Sequence, residues 1–237
     1  MKNLERNLEG ISWENVQQEL YEQGYSVIEN VLDDQHCNAL IEAFENGPLY
    51  RKEVDMERFR FGKGRYKYFK YPLPDVIERI REYTYPKLVS VANQWMNDLK
   101  MGISFPSKLA ELRTTCADNG QLLATPLILQ YKEGGFNTLH QDLYGEVYFP
   151  MQAVLFLNEK DVDYTGGEFV LTQQIPRAQS QAIVLRPKKG AMLLFTNNFR
   201  PVQGKKGHYR VAMKHGVSKV HSGERYTLGI IFHDASA

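Results

Sequence analysis

The spacing of apolar and polar positions differs between two parts of the chain. In the first part, residues 1–123, apolar residues recur mainly at helical spacing. Ser12 can cap a helix over "WENVQQELYEQ" that ends at Gly24, and a short strand is predicted in "YSVIENVL". A longer helical pattern opens after Pro74, and Pro86 within it is expected to kink or split the helix. This part is therefore predicted to be mainly helical.

The second part, residues 124–237, consists of short apolar runs separated by turn residues. The runs are "TPLILQY", "MQAVLFLN", "GGEFVLTQ", "QAIVLRP", "AMLLFTN", "YRVAMKH" and "RYTLGIIFHD". Seven or eight strands with no helical pattern between them favour an antiparallel sandwich or barrel. We predict an α+β fold in which a helical layer supports a double-stranded β-helix, a cupin-like jelly roll, within a single domain over residues 1–237.

Composition and charge narrow the function classes. The chain has 237 residues, a hydrophobic fraction of 43%, and 29 basic against 28 acidic residues. The molecule as a whole therefore has no electrostatic bias toward nucleic acid or an anionic membrane. Cys37 and Cys116 lie far apart, without zinc-site spacing, and are expected to be reduced thiols. With no leader pattern and no apolar span of membrane length, we expect a soluble, cytoplasmic protein that has no membrane partner.

A candidate metal motif lies in "NTLHQDLYGE", where His140 and Asp142 are two residues apart. A bare His-x-Asp is weak evidence, but this one follows the strand "LILQY" and the glycine-containing loop "KEGGFNT", which places both side chains at the mouth of a barrel. A third ligand would have to come from a distant strand. The downstream candidates are His208, His215, His221 and His233. Two imidazoles and one carboxylate form the facial triad of non-haem Fe(II) oxygenases.

A candidate anion site follows in "HGVSKVHSGERYTLGIIF". Arg225 lies ten residues after His215, and its planar guanidinium suits the far carboxylate of a dicarboxylate such as 2-oxoglutarate. Thr227 lies two residues further along the same strand and therefore on the same face, where its hydroxyl could donate to that carboxylate.

Together, "YKEGGFNTLHQD", "TGGEFVL", "KGAMLLF" and "HGVSKVHSGERYTLGIIF" resemble the core of the Fe(II)/2-oxoglutarate-dependent dioxygenases, in particular the prolyl-hydroxylase-like branch. The resemblance implies that His140, Asp142 and His215 bind iron. It also implies that Arg225 anchors 2-oxoglutarate and that Tyr131 donates to it. The ten-residue spacing to Arg225 favours His215 over His221 as the third ligand. The implied cofactors are Fe(II), 2-oxoglutarate and O2, with ascorbate as an optional supporting reductant.

More narrowly, "GKGRYKYFKYPLP" and "GIIFHDA" are similar to a bacterial oxygenase family linked to nucleic acids. The surrounding segment, residues 57–71, interleaves basic and aromatic residues. One interpretation is a substrate-covering loop or strand that stacks bases and neutralises phosphates, with Lys63, Arg65 and Tyr66 as candidate substrate contacts. The alternative is a solvated edge hairpin whose aromatic side chains turn into the core.

The resemblance implies that oxidative decarboxylation of 2-oxoglutarate to succinate is coupled to hydroxylation of a substrate that the sequence does not identify. Oxidative demethylation of alkylated nucleic acid is an alternative reaction at the same centre. A third hypothesis is a non-enzymatic, cupin-like barrel that binds a metal or ligand, although such a barrel has no need for a buried cation at Arg225.

Overall fold

The computed structural model describes residues 1–236, and it contains five α-helices and fifteen β-strands within that range. The helices are α1 (Lys2–Glu9), α2 (Trp13–Gln23), α3 (Asp34–Ala43), α4 (Asp75–Asp98) and α5 (Leu109–Asp118). Gly24 ends α2 as predicted, because it adopts the left-handed conformation with φ of 82° and donates its N–H to the carbonyl of Leu20. The split expected at Pro86 is wrong, since α4 continues through that residue.

The strands account for every apolar run predicted in the second part of the chain. They are β1 (Tyr25–Ile28), β2 (Tyr50–Asp55), β3 (Gly62–Lys63), β4 (Arg65–Phe69), β5 (Leu127–Tyr131), β6 (Phe136–His140), β7 (Met151–Phe156), β8 (Tyr164–Gly166), β9 (Phe169–Gln174), β10 (Gln181–Leu185), β11 (Met192–Thr196), β12 (Phe199–Gly204), β13 (Gly207–Val217), β14 (Val220–Gly223) and β15 (Arg225–Ile231). Two short 3-10 turns, Gly47–Leu49 and Met56–Phe59, flank β2.

Two antiparallel sheets carry the jelly roll. The major sheet has the order β1-β11-β7-β15-β5-β4-β2, and the minor sheet has the order β10-β9-β13-β6-β3, with β12 paired to β13. A small ribbon of β8 and β14 lies beside them. Sequence neighbours such as β5 and β6 belong to different sheets, which is the arrangement expected of a double-stranded β-helix.

The alternation of side chains along β11 shows how the layers are joined. Leu193 and Phe195 pack into a core shared with β9 and β13 of the minor sheet. Met192 and Leu194 point the other way, into the larger core that includes Trp95 of α4. The major sheet is therefore buried on both faces, by the minor sheet on one side and by the helices on the other.

The first part of the chain is less purely helical than predicted. Residues 50–69 contribute β2, β3 and β4, which extend both sheets next to strands from the second part. The strand β4 pairs with β5, so the segment predicted as basic and aromatic forms part of the barrel wall. Within residues 1–236, none of the helices combines the length and apolar character needed to cross a membrane.

Candidate metal and co-substrate site

The three predicted metal ligands converge at one end of the barrel. His140 ends β6 and is the register partner of His215 on β13, while Asp142 lies in the loop that leaves β6. His140 Nε2 lies 3.5 Å from Asp142 Oδ1, and His215 Nε2 lies 3.2 Å from Asp142 Oδ2. One ligand atom from each residue falls within 4.8 Å of the other two. These side chains can therefore present two nitrogens and one oxygen to a single divalent cation.

The pKa values of His140 and Asp142 favour the protonation states that bind a metal. Burial lowers the pKa of His140, and the neighbouring His215 lowers it further. Burial alone would raise the pKa of Asp142, but the two imidazoles and a donated amide hydrogen bond hold it well below its usual range. His140 Nδ1 lies 2.7 Å from the carbonyl of Thr138, so a proton on Nδ1 leaves the Nε2 lone pair directed into the site. A neutral imidazole and an ionised carboxylate are the forms that bind a cation.

Two residues that sequence reasoning missed orient the carboxylate. Tyr144 donates its hydroxyl to Asp142 Oδ1 at 2.9 Å, and Gln152 donates its amide to Asp142 Oδ2, also at 2.9 Å. Gln152 is buried on β7 and also lies 3.3 Å from His215 Nε2. The signal for Gln152 was a single amide inside the apolar run "MQAVLF"; Tyr144 had no local signal beyond its closeness to Asp142.

Arg225 is buried without a counter-ion. Arg225 is the first residue of β15 and is only 1% exposed. The rings of Tyr131, Phe156 and Tyr164 surround its side chain, with the guanidinium carbon 5.5 to 6.0 Å from each ring centre. Its only hydrogen bond within residues 1–236 is a long one of 3.5 Å to the hydroxyl of Thr227, and its Nε and Nη2 atoms have no partner in that range. A buried guanidinium in this state favours an anionic ligand.

Tyr131 lies directly opposite Arg225 in the sheet. Burial raises the pKa of Tyr131 to about 12 although the arginine opposes the shift, so the phenol keeps its proton and can donate a hydrogen bond. Thr227 is also buried on the same face of β15. The structure thus brings the three predicted co-substrate contacts together.

One cavity of about 260 Å³ joins the two sites. Its lining includes the three metal-ligand candidates, Arg225, Tyr131, Thr227 and Gln152, together with an aromatic wall formed by Tyr66, Tyr68 and Tyr144. A keto dicarboxylate could contact a metal with one end and the arginine with the other, while the tyrosine wall borders the remaining space.

The structure places the three candidate substrate residues in different surroundings. Tyr66 lines the cavity, whereas the adjacent Arg65 points to the opposite face of β4 and forms ion pairs with Glu45 and Glu53, each at 3.2 Å. Lys63 is exposed on β3, outside the cavity lining that residues 1–236 form. The segment 57–71 therefore combines features of both interpretations, because some of its aromatic side chains face the cavity or core while others remain exposed.

The remaining histidines take other positions. His221 is exposed on β14. His233, one of the four candidates for the third ligand, is fully buried away from the metal-ligand cluster, and its Nδ1 accepts the N–H of Phe149 at 3.1 Å. His208, another of those candidates, lies on β13, where its Nε2 is 3.3 Å from the hydroxyl of Tyr21.

Comparison with known proteins places this site in a family. Residues 64–235 match the model of the Oxygenase-NA family, described as an oxygenase catalysing oxidative methylation of damaged DNA. Two uncharacterized proteins from two strains of Mycobacterium tuberculosis are each 43% identical over 168 residues, which is 71% of this chain and 72% of theirs.

Solved structures agree with the fold. A prolyl-4-hydroxylase from Pseudomonas putida is 16% identical with a TM-score of 0.53, over 94% of this chain and 98% of that one. A 2OG-Fe(II) oxygenase family oxidoreductase from Burkholderia pseudomallei is 15% identical with a TM-score of 0.57, over 96% of this chain and 94% of that one. The jelly-roll prediction is thereby confirmed. The chain belongs to the Oxygenase-NA family and is an oxidoreductase with the fold of the 2-oxoglutarate/Fe(II) oxygenases.

Proposed function

We propose that this oxygenase holds Fe(II) on His140, Asp142 and His215, binds 2-oxoglutarate against Arg225, and uses O2 to oxidise alkyl groups on nucleic acid bases. The observation that carries the co-substrate assignment is the buried guanidinium of Arg225, which has no counter-ion among residues 1–236 and shares a cavity with the three metal-ligand candidates. We place the protein in the cytoplasm, where the buried free thiols Cys37 and Cys116 would stay reduced.

When bound, Fe(II) and 2-oxoglutarate supply O2-dependent oxidation, in which one oxygen atom converts 2-oxoglutarate to succinate and CO2 and the other enters a substrate C–H bond. The chain's residues prepare this chemistry. Arg225 and Thr227 bind the far carboxylate, Tyr131 donates its phenol proton as a hydrogen bond, and Tyr144 and Gln152 orient Asp142. The burial of Arg225, Thr227 and Tyr131 limits the access of water to the co-substrate end of the cavity.

The substrate class rests on the family description and on the cavity wall. Tyr66, Tyr68 and Tyr144 present a broad aromatic surface beside the metal ligands, and such a surface suits the flat face of a base. Hydroxylation of an N-methyl carbon gives an N-hydroxymethyl group, which releases formaldehyde and restores the N–H. The same site would thus remove a methyl group from a damaged base.

The test is turnover of a methylated single-stranded oligonucleotide by the Fe(II)-loaded protein in the presence of 2-oxoglutarate, O2 and ascorbate, with succinate and formaldehyde measured together. We expect the two products in a one-to-one ratio and no formaldehyde from the unmethylated strand. His215→Ala should abolish both products. The matched control is His221→Ala, which removes the exposed histidine on β14 and should behave as the wild type.

Other outcomes would redirect the assignment. Succinate formation that couples to a peptide but never to nucleic acid would retain the oxygenase and reject the substrate class. Failure of the Mn(II)-loaded protein to bind 2-oxoglutarate would instead favour the non-enzymatic barrel.

A further inference from the structure

A pair of exposed aromatic rings lies beside the cavity. Phe59 and Phe61 stack on each other with ring centres 5.6 Å apart and an interplanar angle of 19°, yet they are 55% and 46% exposed. Phe61 also lines the cavity, as does the exposed Leu143. The pair therefore forms an apolar surface at the cavity mouth, and we call it the phenylalanine platform.

Backbone contacts fix the platform in place. The N–H of Phe61 donates to the carbonyl of Met56 at 3.1 Å, and the carbonyl of Phe61 accepts both the N–H and the hydroxyl of Thr138, at 2.9 and 2.8 Å. Gly62 follows with φ of 140°, and a Cβ atom there would lie 2.2 Å from the carbonyl oxygen of Phe136. Since the turn is held against β6, the two rings are presented to solvent by a fixed backbone, which is typical of a binding surface.

Exposed cations flank the platform in the sequence. Arg58, Arg60 and Lys63 are all exposed on the same turn and strand. Arg58 has one carboxylate nearby, Asp55 at 3.9 Å, and no carboxylate in residues 1–236 lies within ion-pair distance of Arg60 or Lys63. Arg60 and Lys63 are therefore available to phosphates.

The neighbouring cations on β4 are different. Lys67 is buried between Glu45 and Glu53, with distances of 3.5 and 3.4 Å, and Arg65 pairs with the same two carboxylates. Of the exposed cations in segment 57–71 that have no carboxylate partner within residues 1–236, Arg60 and Lys63 lie next to the exposed rings in sequence, and Lys70 follows β4. Exposed aromatic rings with adjacent unpaired cations are the combination that binds single-stranded nucleic acid, by base stacking and phosphate neutralisation.

We infer that the phenylalanine platform stacks on the base next to the one that enters the cavity. This inference rests on the proposed function. A base that leaves its strand to enter an active site exposes the face of its neighbour, and an aromatic surface at the cavity mouth replaces the lost stacking. Phe61 lies at the boundary between cavity and surface, so the adjacent base meets the platform when its neighbour is inside.

Binding of a fluorescent methylated single strand to the Mn(II)- and 2-oxoglutarate-loaded full chain tests this inference. Phe59 is the residue to change, because it does not line the cavity formed by residues 1–236. We expect Phe59→Ala to weaken binding by about 5- to 100-fold and Phe59→Tyr to restore it. The matched control is Val184→Ala, since Val184 is equally exposed, at 56%, and lies on β10, at the edge of the minor sheet opposite to β3. This variant should bind as the wild type does.

Salt dependence separates stacking from charge. Phe59→Ala should lower the affinity by the same factor at every salt concentration, while Arg60→Gln and Lys63→Gln should each reduce the slope of log affinity against log salt by about 0.7. If the wild type binds and demethylates the strand but Phe59→Ala binds equally well, the inference that the phenylalanine platform stacks on a base is wrong, while the proposed function is retained. If the wild type binds no single strand even at low salt and releases no formaldehyde, both are overturned.

Discussion

Replacing Arg225 by methionine tests the central feature of the site. The change keeps much of the side-chain length and removes a charge that is 1% exposed and has no counter-ion within residues 1–236. Loss of one partner from a buried charge pair typically costs about 2 to 5 kcal/mol of binding free energy. We therefore expect Arg225→Met to weaken 2-oxoglutarate binding by about 30- to 5,000-fold.

In the ligand-free protein, we do not expect the same substitution to lower the free energy of unfolding. Removing a buried charge that lacks a partner relieves a desolvation cost, so the free energy of unfolding should stay unchanged or rise. In the wild type, 2-oxoglutarate at a hundred times its Kd should stabilise the fold by about 2.7 kcal/mol. For a chain of this size that corresponds to a rise in Tm of about 5 to 11 °C, and Arg225→Met should lose this rise.

Calorimetric titration of 2-oxoglutarate into the Mn(II)-loaded protein, with thermal unfolding of both forms, measures the two effects without turnover. Arg81 provides the matched control, because it is fully buried but satisfied by Asp234, Tyr71 and two backbone carbonyls. Arg81→Met should lower the free energy of unfolding by about 3 to 5 kcal/mol without changing the affinity of the folded protein for 2-oxoglutarate. The reasoning fails if Arg225→Met binds 2-oxoglutarate normally, or if it is as unstable as Arg81→Met without ligand.

Two further predictions concern the surroundings of the metal-ligand candidates. Tyr144→Phe removes the hydroxyl that donates to Asp142, and we expect about 10- to 100-fold weaker Mn(II) binding in a metal titration with an unchanged fold; equal affinity would contradict an orienting role. His233→Asn should reduce acid sensitivity, because burial, aided by the charge of Arg81, lowers the pKa of His233 to about 3 in the folded protein, against about 6.5 when unfolded. Between those values only the unfolded chain binds the proton, so stability falls as pH falls, by about 1.4 kcal/mol per unit; urea unfolding from pH 6.5 to 4.5 should show a shallower slope for the variant, and an identical slope would contradict this.

Local patterns predicted those parts of the fold and site that depend on neighbours in sequence. The spacing of Arg225 and Thr227 placed both side chains on one face of a strand, and the structure shows both buried in the same cavity. The apolar runs predicted seven strands, and six of these contain buried residues; β10 has none and is placed by its pairing with β9. The convergence of His140 and His215 required the family resemblance, since register between strands 75 residues apart is not encoded in either strand alone.

Features that depend on distant partners were not predictable in this way. The segment "RYKYF" was interpreted as part of a loop, a strand or an edge hairpin, but β4 lies inside the major sheet between β5 and β2. Lys67 can be buried there because it donates to the carbonyl of Phe44 and pairs with two glutamates from other elements. The role of Gln152 was not predictable either. An apolar run predicts a core strand, but it does not indicate which polar atom forms a hydrogen bond with the single amide in that run. Both cases follow from contacts between segments far apart in the chain.

The ion-pair partners of the basic residues indicate more about possible anionic ligands than the net charge does. A formal net charge of +1 gives no indication of an anionic ligand, because it averages over cations in unlike surroundings. Arg65 and Lys67 are neutralised by two glutamates and only hold strands together. Arg225 is buried and has no carboxylate partner within the described residues, which suits one small dicarboxylate held in the cavity. The exposed Arg60 and Lys63 suit phosphates along a strand in water. The same residue types therefore suit two different anions on either side of the cavity mouth, which is what the proposed function requires.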